Sequence, residues 1–359
     1  MEKPLISFIV ISYNQERFIR EAIEGALSQS YSPLEIIIMD DCSTDRSHEI
    51  AQQTVAAYNG PHRVSAHRSP QNCGIGKNIN RAVEMCSGEL IVGAAGDDVS
   101  LPTRTSVIYE AWEKSGRRAT SIFSSYTVVS EDGVVLGDGG RRCATTDNAQ
   151  VQELTGSLCE FLTNKTPAVN GCTHAWSPAL TNYFGPLNSD LEDLVLSFRT
   201  LAIGKMFYVD VPLVKYRRHG TNVSFLAEGN DTISFEHRES RLRWVDEKSE
   251  VAYANMVADV ELLYRKGRIT ASEHNQLQSE GRRIQSFYAM EKRMMDGGIL
   301  RRLGTLMETA RRFAHRHVSP FPQGCPAFSK CLRPSSAFPW RRNSGCVALP
   351  TATDCVHWQ

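Results

Sequence analysis

The strongest constraint on this chain is a repeated unit. An apolar, β-branched run stops on a polar pair, and a segment with helical spacing follows. Leu5 to Ser12 (LISFIVIS) stops at Tyr13-Asn14, and Leu34 to Met39 (LEIIIM) stops at Asp40-Asp41. Glu89 to Ala95 stops, after Gly96, at Asp97-Asp98. Short, continuously apolar runs read as strands buried on both faces, the pattern of a parallel sheet. Between them, Phe18, Ile19, Ala22, Ile23, Ala26 and Leu27 recur at helical spacing. Ser43-Thr44-Asp45 is placed to cap a helix reaching about Tyr58. Arg63 to His67 fits a short strand, and Lys77 to Cys86 a helix stopped by Gly88. The order βαβαβ predicts a parallel sheet with right-handed crossovers. Its C-terminal edge, where such sheets bind ligands, gathers the three polar clusters.

Asp97-Asp98 precede Leu101-Pro102, and Pro102 reads as the opening of the next helix. Carboxylates on such a loop suit a hard divalent cation, and the cation suits a phosphate-bearing substrate. Asp41 to Asp45 could equally serve only to cap a helix. A nicotinamide cofactor is disfavoured, because Ser12-Tyr13-Asn14-Gln15 offers no glycine for close approach to a pyrophosphate and Gly74-Ile75-Gly76 lacks a third. A nucleotidyltransferase would want a Gly-rich basic phosphate loop after the first strand, and there is none.

Downstream, Thr120 to Val129 reads as a strand, Asp132-Gly133 as a hairpin turn, and residues 137–150 as a loop. A strand from Tyr208 to Val214 is broken by Pro212. Ser189-Asp190-Leu191-Glu192-Asp193-Leu194 opens a helix whose dipole its carboxylates would favour. The segment Tyr216-Arg217-Arg218-His219-Gly220-Thr221-Asn222 brings two guanidinium groups and an imidazole together. His219 suits a metal or a diphosphate, and Arg217 or Arg218 a diphosphate.

Taken in order, Val10 to Asn14, Ile38 to Asp45, Asn72-Cys73-Gly74 and Gly96-Asp97-Asp98 with Pro102 resemble a family 2 glycosyltransferase of the GT-A fold. The resemblance covers about residues 4–225. It implies an α/β, Rossmann-like, mainly parallel sheet flanked by helices, here with a helical C-terminal extension. It also implies inverting transfer of a sugar from a nucleotide-diphosphate donor to an acceptor hydroxyl. By the same resemblance, Ser12, Tyr13, Asn14, Asp41 and Asp97 hold the donor nucleotide. Asp97 and Asp98, with His219, hold Mn²⁺ or Mg²⁺ against the diphosphate. Glu192-Asp193 matches a family pair whose Asp is the catalytic base, with Asp190 as a nearby rival. Val169 to Trp176 matches the acceptor side, where His174 and Trp176 either meet a sugar or belong to the core. Many relatives carry an acid two positions before the Asp matching Asp97; here it is Ala95, so phosphates and water must complete the metal shell. A non-catalytic nucleotide-sugar or glycan-binding module of the same fold is the alternative.

The expected organisation is residues 1–228 as the GT-A domain, with 1–116 as the nucleotide-sugar half and 117–228 as the acceptor half. Residues 229–317 form the helical extension, and the Pro-punctuated residues 318–359 are expected to be poorly ordered. Thr270-Ala271-Ser272-Glu273 is a capping-box match inside the extension. Residues 301–359 carry nine Lys or Arg against Glu308 and Asp354 in a chain of zero formal charge. The basic helix expected from Ile299 to about His317 suits an anionic membrane surface, the catalytic domain or a second subunit. Met1 to Pro4 precede a strand without an export segment, and no run is long enough to span a membrane. Ten scattered cysteines show no zinc spacing, as expected of a cytoplasmic protein with reduced thiols. The expected partners are a nucleotide-diphosphate sugar and a glycan or lipid-linked glycan, with no nucleic acid.

Overall fold

The computed structural model describes residues 2–139, 151–163, 169–220, 222 and 235–296. All lie in one compact unit within Met1–Pro322. The first half is β1 Ile6–Ser12, α1 Ile19–Leu27, β2 Leu34–Asp40, α2 Ser47–Ala56, β3 Arg63–Arg68, α3 Ile75–Glu84, β4 Leu90–Ala95, β5 Val99–Ser100 and α4 Arg104–Lys114. The second half is β6 Ala119–Val129, β7 Val135–Gly139, β8 Val151–Leu154, α5 Leu158–Leu162, β9 Ala175–Trp176, α6 Ala179–Phe184, α7 Glu192–Ile203, β10 Lys205–Arg217, α8 Phe235–Arg265 and α9 Ala271–Asp296.

The main path of the sheet runs β3-β2-β1-β4-β9-β6-β10-β5, with β7 beside β6 and β8 beside β10. β1 pairs in parallel with β2, from Ile6↔Leu34 to Ser12↔Asp40, and with β4, from Ile6↔Leu90 to Ile11↔Ala95. This register brings Ser12, Asp40 and Ala95 to one edge, so the loops that follow open side by side. β9 then runs antiparallel between β4 and β6.

Alternation along the strands feeds two cores. Ile6, Phe8, Val10, Ile36, Ile38 and Val92 face α1, α2 and α4, while Ile9, Ile37, Met39 and Ile91 face the opposite side. That second core also takes in Val195, Leu196 and Phe198 of α7, Tyr253, Met256 and Val260 of α8, and Leu277 and Ile284 of α9. Each fully buried side chain of this kind contributes roughly 1.5–3 kcal/mol. The helical pair is therefore packed as part of the sheet's own core. Arg199 of α7, nearly fully buried, donates to both carboxylate oxygens of Asp259 on α8, at 2.8 and 3.2 Å, and to Gly185 O at 2.9 Å. The Thr270–Glu273 capping box forms as expected, each backbone N–H meeting the other residue's side chain.

Three local expectations shift. β10 runs unbroken by Pro212, because register irregularities on either side of that residue remove the need for its missing N–H. β7 extends to Gly139, into the segment expected as a loop. α4 starts at Arg104, with Pro102 in the turn before it. The basic helix expected from Ile299, residues 318–359 and residues 140–150 lie outside the described residues. Among the described residues no helix is long and apolar enough to cross a membrane.

Candidate functional site

The loops after β1, β2 and β4 open into a cleft of about 1000 Å³. Its first wall is built by two loops stitched together. Asn14, held at φ 52°, donates its N–H to Ser43 Oγ at 2.9 Å and accepts from Thr44 N at 2.8 Å. Gln15 N–H donates to Ser47 Oγ and Glu16 N–H to Asp45 Oδ2. Tyr13 stands 42% exposed on this rim, free to lie against a flat ligand. Ser12 is turned inward, its Oγ 3.4 Å from Asp40 Oδ1. Asp40 is fully buried and accepts from Ser43 N–H at 2.9 Å and from Ser43 Oγ.

Asp41 points the other way and lines the cleft. Its carboxylate accepts from the N–H groups of Cys73, at 3.0 Å, and Gly74, at 2.8 Å. It thereby fastens the turn before α3. Gly74 is required there: its φ is 88°, and a Cβ would lie 2.6 Å from Asp190 Oδ1.

The second wall carries Asp97 and Asp98, which take opposite roles. Asp97 Oδ2 lies 3.0 Å from His219 Nε2, and both residues line the cleft. His219 is set by Asn222, whose Oδ1 accepts its N–H and whose Nδ2 donates to Arg217 O at 2.9 Å. Its ring also packs on Phe18, with centroids 4.6 Å apart. Asp98 is 3% exposed, and its Oδ1 accepts from Arg217 N–H at 2.8 Å. Burial, and then the neighbouring Asp97 charge, push its pKa well above the usual carboxylate range. Asp98 belongs to a packed network with Cys172, whose thiol burial also pushes up, and Arg104. Arg104, lowered to about 10 by burial, donates to Ser100 Oγ and Gly93 O.

Arg217, expected at a diphosphate, lies beneath this wall. Its guanidinium donates to Asp97 O at 3.1 Å, Glu131 O at 2.6 Å and Glu21 Oε2 at 2.6 Å, and sits over the Phe18 ring. It braces the loop that presents Asp97. Arg218 is half-buried, with its backbone N–H on Val129 O.

Glu192 and Asp193 form the first turn of α7 and are half-buried at the same cleft. Burial raises the Asp193 pKa, against backbone N–H groups of Leu194 and Gly171 that favour its charge. Burial, followed by the Asp193 charge, raises Glu192 to about 8. A proton therefore stays on Glu192 at neutral pH. Asp190 is otherwise engaged: it accepts from Gly76 N–H at 3.1 Å and pairs with Lys248 Nζ at 2.8 Å.

The sequence motif around Trp176 reads differently in the fold. His174 is 1% exposed and Trp176 3% exposed. His174 hydrogen-bonds Ser121, and burial next to Arg104 lowers its pKa to about 3, so the ring stays neutral. Trp176 fills the second core, where Gly93 leaves room: a Cβ there would be 2.8 Å from the indole. Both edge the cleft floor from within the core. The cleft instead acquires an indole the motifs did not flag, Trp244 of α8. Its only sequence signal is a lone Trp in the polar run SRLRWVDEKS.

The donor set fits a divalent cation sparingly. Asp97 and His219 supply one carboxylate and one imidazole to one point of the cleft, while Asp98 Oδ1 is spent on Arg217. Among the described residues no three of His, Cys, Asp and Glu form a cage. Such a pair suits a cation that takes its remaining ligands from phosphate oxygens and water.

Residues 7–136 match the family model described as glycosyl transferase family 2. An uncharacterized glycosyltransferase of Rickettsia felis is 25% identical over 257 residues, which are 71% of this chain and 40% of that protein. WcaA of Escherichia coli strain K12, provisionally named a colanic acid biosynthesis glycosyl transferase, is 40% identical over 104 residues. Those residues are 29% of this chain and 36% of that protein. The chain thus spans well under half the length of these relatives. S. aureus TarS 1-349 in complex with UDP-GlcNAc superposes at a TM-score of 0.49 and 16% identity, covering 86% of this chain and 91% of that one.

Proposed function

We propose that the cleft transfers a glycosyl group, with inversion, from a nucleoside-diphosphate sugar to an acceptor hydroxyl, a reading supported by the match of residues 7–136 to the glycosyl transferase family 2 model. The observation that carries this reading is the pairing of two chemistries in one cleft. Asp97 and His219 offer ligands for a cation beside the nucleotide wall, and Asp193 offers a base at the start of α7. Mn²⁺ or Mg²⁺ held there would stabilise the departing diphosphate as a Lewis acid.

The rest of the step falls to the protein. Tyr13 and the turn fastened by Asp41 bound the site for base and ribose. Asp193 accepts the proton of the acceptor hydroxyl as its oxygen attacks the anomeric carbon. One C–O bond forms, the C–O bond to the diphosphate breaks, and the nucleoside diphosphate leaves with the electron pair. A single displacement inverts the anomeric centre. Glu192, protonated at neutral pH, keeps a second negative charge away from Asp193 and leaves it as the acceptor of the proton. A glycan or lipid-linked glycan acceptor in polysaccharide biosynthesis agrees with the WcaA likeness.

The test is a nucleotide-sugar panel with Mn²⁺ or Mg²⁺, read by nucleoside diphosphate release with and without candidate glycans. Nucleotide-sugar binding without release under any condition would favour a non-catalytic binding module instead.

A further inference from the structure

The helical pair α8–α9 is packed into the core, and one turn of α8 also reaches the cleft. Asp246, Ser249, Tyr253 and Met256 are buried, marking the inward stripe of α8. Trp244 and Lys248, one turn apart, lie off that stripe and are half-buried. Lys248 Nζ lies 2.8 Å from Asp190 Oδ2 and 6.0 Å from the centroid of the Trp244 ring. Asn188 N–H donates to Asn255 Oδ1 at 3.1 Å, fastening the same approach segment to α8. Two ties therefore hold α8 against residues 188–190, immediately before Glu192 and Asp193. Trp244 and Val245 line the same cleft as Asp190, Leu191 and Asp193.

We infer that Trp244 is a stacking platform for a pyranose ring of the acceptor glycan, held in place by the Lys248–Asp190 ion pair. This inference rests on the transferase reading. A base must touch the acceptor hydroxyl, so the part of the cleft next to Asp193 is the acceptor's. An indole presents a broad, rigid apolar face with little entropy to lose. The axial C–H groups of a pyranose form a matching apolar face, whereas the donor diphosphate needs cations and N–H groups. Of the two readings the sequence left open for Trp176, the fold shows the core one. Lys248 and Asp190 set where the platform stands, so they are positioning residues. Asp190 also holds Gly76 N–H at the start of α3, which links the platform to the turn that Asp41 fastens.

The experiment uses the full chain with Mg²⁺ and saturation-transfer NMR. The probes are the methyl glycopyranosides of glucose, galactose, mannose and N-acetylglucosamine, with UDP, GDP and dTDP as nucleotide probes. At least one pyranoside should bind wild type and weaken tenfold or more in Trp244→Ala, about 1.4 kcal/mol. Trp244→Phe should stay within about threefold of wild type, and nucleotide affinity should be unchanged in both variants. Lys248→Met should weaken the pyranoside and Lys248→Arg should restore it. Unaltered circular dichroism and melting midpoint in Trp244→Phe guard against a folding artefact. Pyranoside binding that is absent in wild type, or equal in Trp244→Ala, overturns the platform. Failure of every nucleotide to bind would overturn the transferase reading instead, and the pyranoside arm would still report on Trp244.

Discussion

Replacing Asp193 by Asn removes the proposed proton acceptor while keeping the shape of the α7 first turn. General-base help contributes about 10²–10⁴-fold, or roughly 3–5 kcal/mol of barrier. The variant should lose that much kcat and keep its affinity for nucleotide and cation, since Asp97 and His219 are untouched. The pH profile sharpens the test. Burial raises the Asp193 pKa, and the base works only when ionised. The rate of wild type should therefore fall as pH drops through a value above the ordinary aspartate range, and that acid limb should vanish with Asp193. Glu192 behaves differently, because it holds its proton up to about pH 8. Glu192→Gln imitates that protonated state, so at pH 7 it should keep activity within about threefold, far short of the loss expected for a missing general base. The linkage sign follows from the same group. A folded-state pKa raised above the unfolded one means that stability present at low pH is lost as pH climbs toward 8. Glu192→Gln should remove that loss, so its melting temperature should fall less than wild type's between pH 6 and 9. The assays are nucleoside diphosphate release across pH and scanning fluorimetry across the same range. Full transfer by Asp193→Asn, or a tenfold loss in Glu192→Gln at pH 7, would refute the division of labour.

Asp97→Ala should abolish Mn²⁺-dependent tightening of nucleotide binding in titration calorimetry without moving the melting point by more than a few degrees. Asp98→Asn should keep cation-dependent binding, because the native carboxyl is already held toward its neutral form. Asp98→Ala should cost about 1–3 kcal/mol in urea unfolding, by leaving the Arg217 N–H unpaired. Asp259→Ala should destabilise by about 3–5 kcal/mol, because it strands the buried Arg199 charge; the double variant Arg199→Met/Asp259→Leu should recover most of it.

The parallel half of the fold was open to reading because its strands are continuous apolar runs and its helices carry a regular stripe. Both signals arise from burial of local sequence against one sheet. The residues proposed for the acceptor end were not open in this way. Trp176 sits in a segment whose type and order matched an acceptor wall, yet β9 threads it between β4 and β6, and its indole goes into the core above Gly93. Trp244 lies beyond the recognisable motifs, on a helix tied through Lys248 and Asn255 to Asp190 and Asn188, which stand 58 and 67 positions before their partners. Arg217 shows the same limit. Its sequence suits a phosphate contact, and only the surrounding Glu21, Glu131 and Phe18 reveal that its donors are spent within the protein.

The acidic pairs follow a simpler logic that joins the sequence to the site. At the two strand ends the neighbouring carboxylates of each pair take different partners. After β2, Asp40 turns in to hold Ser43 and Asp41 turns toward the cleft. After β4, Asp97 meets His219 in the cleft, and Asp98, which also lines it, takes the Arg217 N–H. In each case one acid of the pair is tied to the loop backbone beside the other. Glu192-Asp193 differs because it lies on a helix, where neighbours diverge by about 100°. Both acids there remain beside the cleft; burial raises both, and the Asp193 charge adds to the rise of Glu192. A strand end thus separates two carboxylates by their partners, whereas at the helix end burial and the neighbouring charge keep the proton on Glu192 at neutral pH.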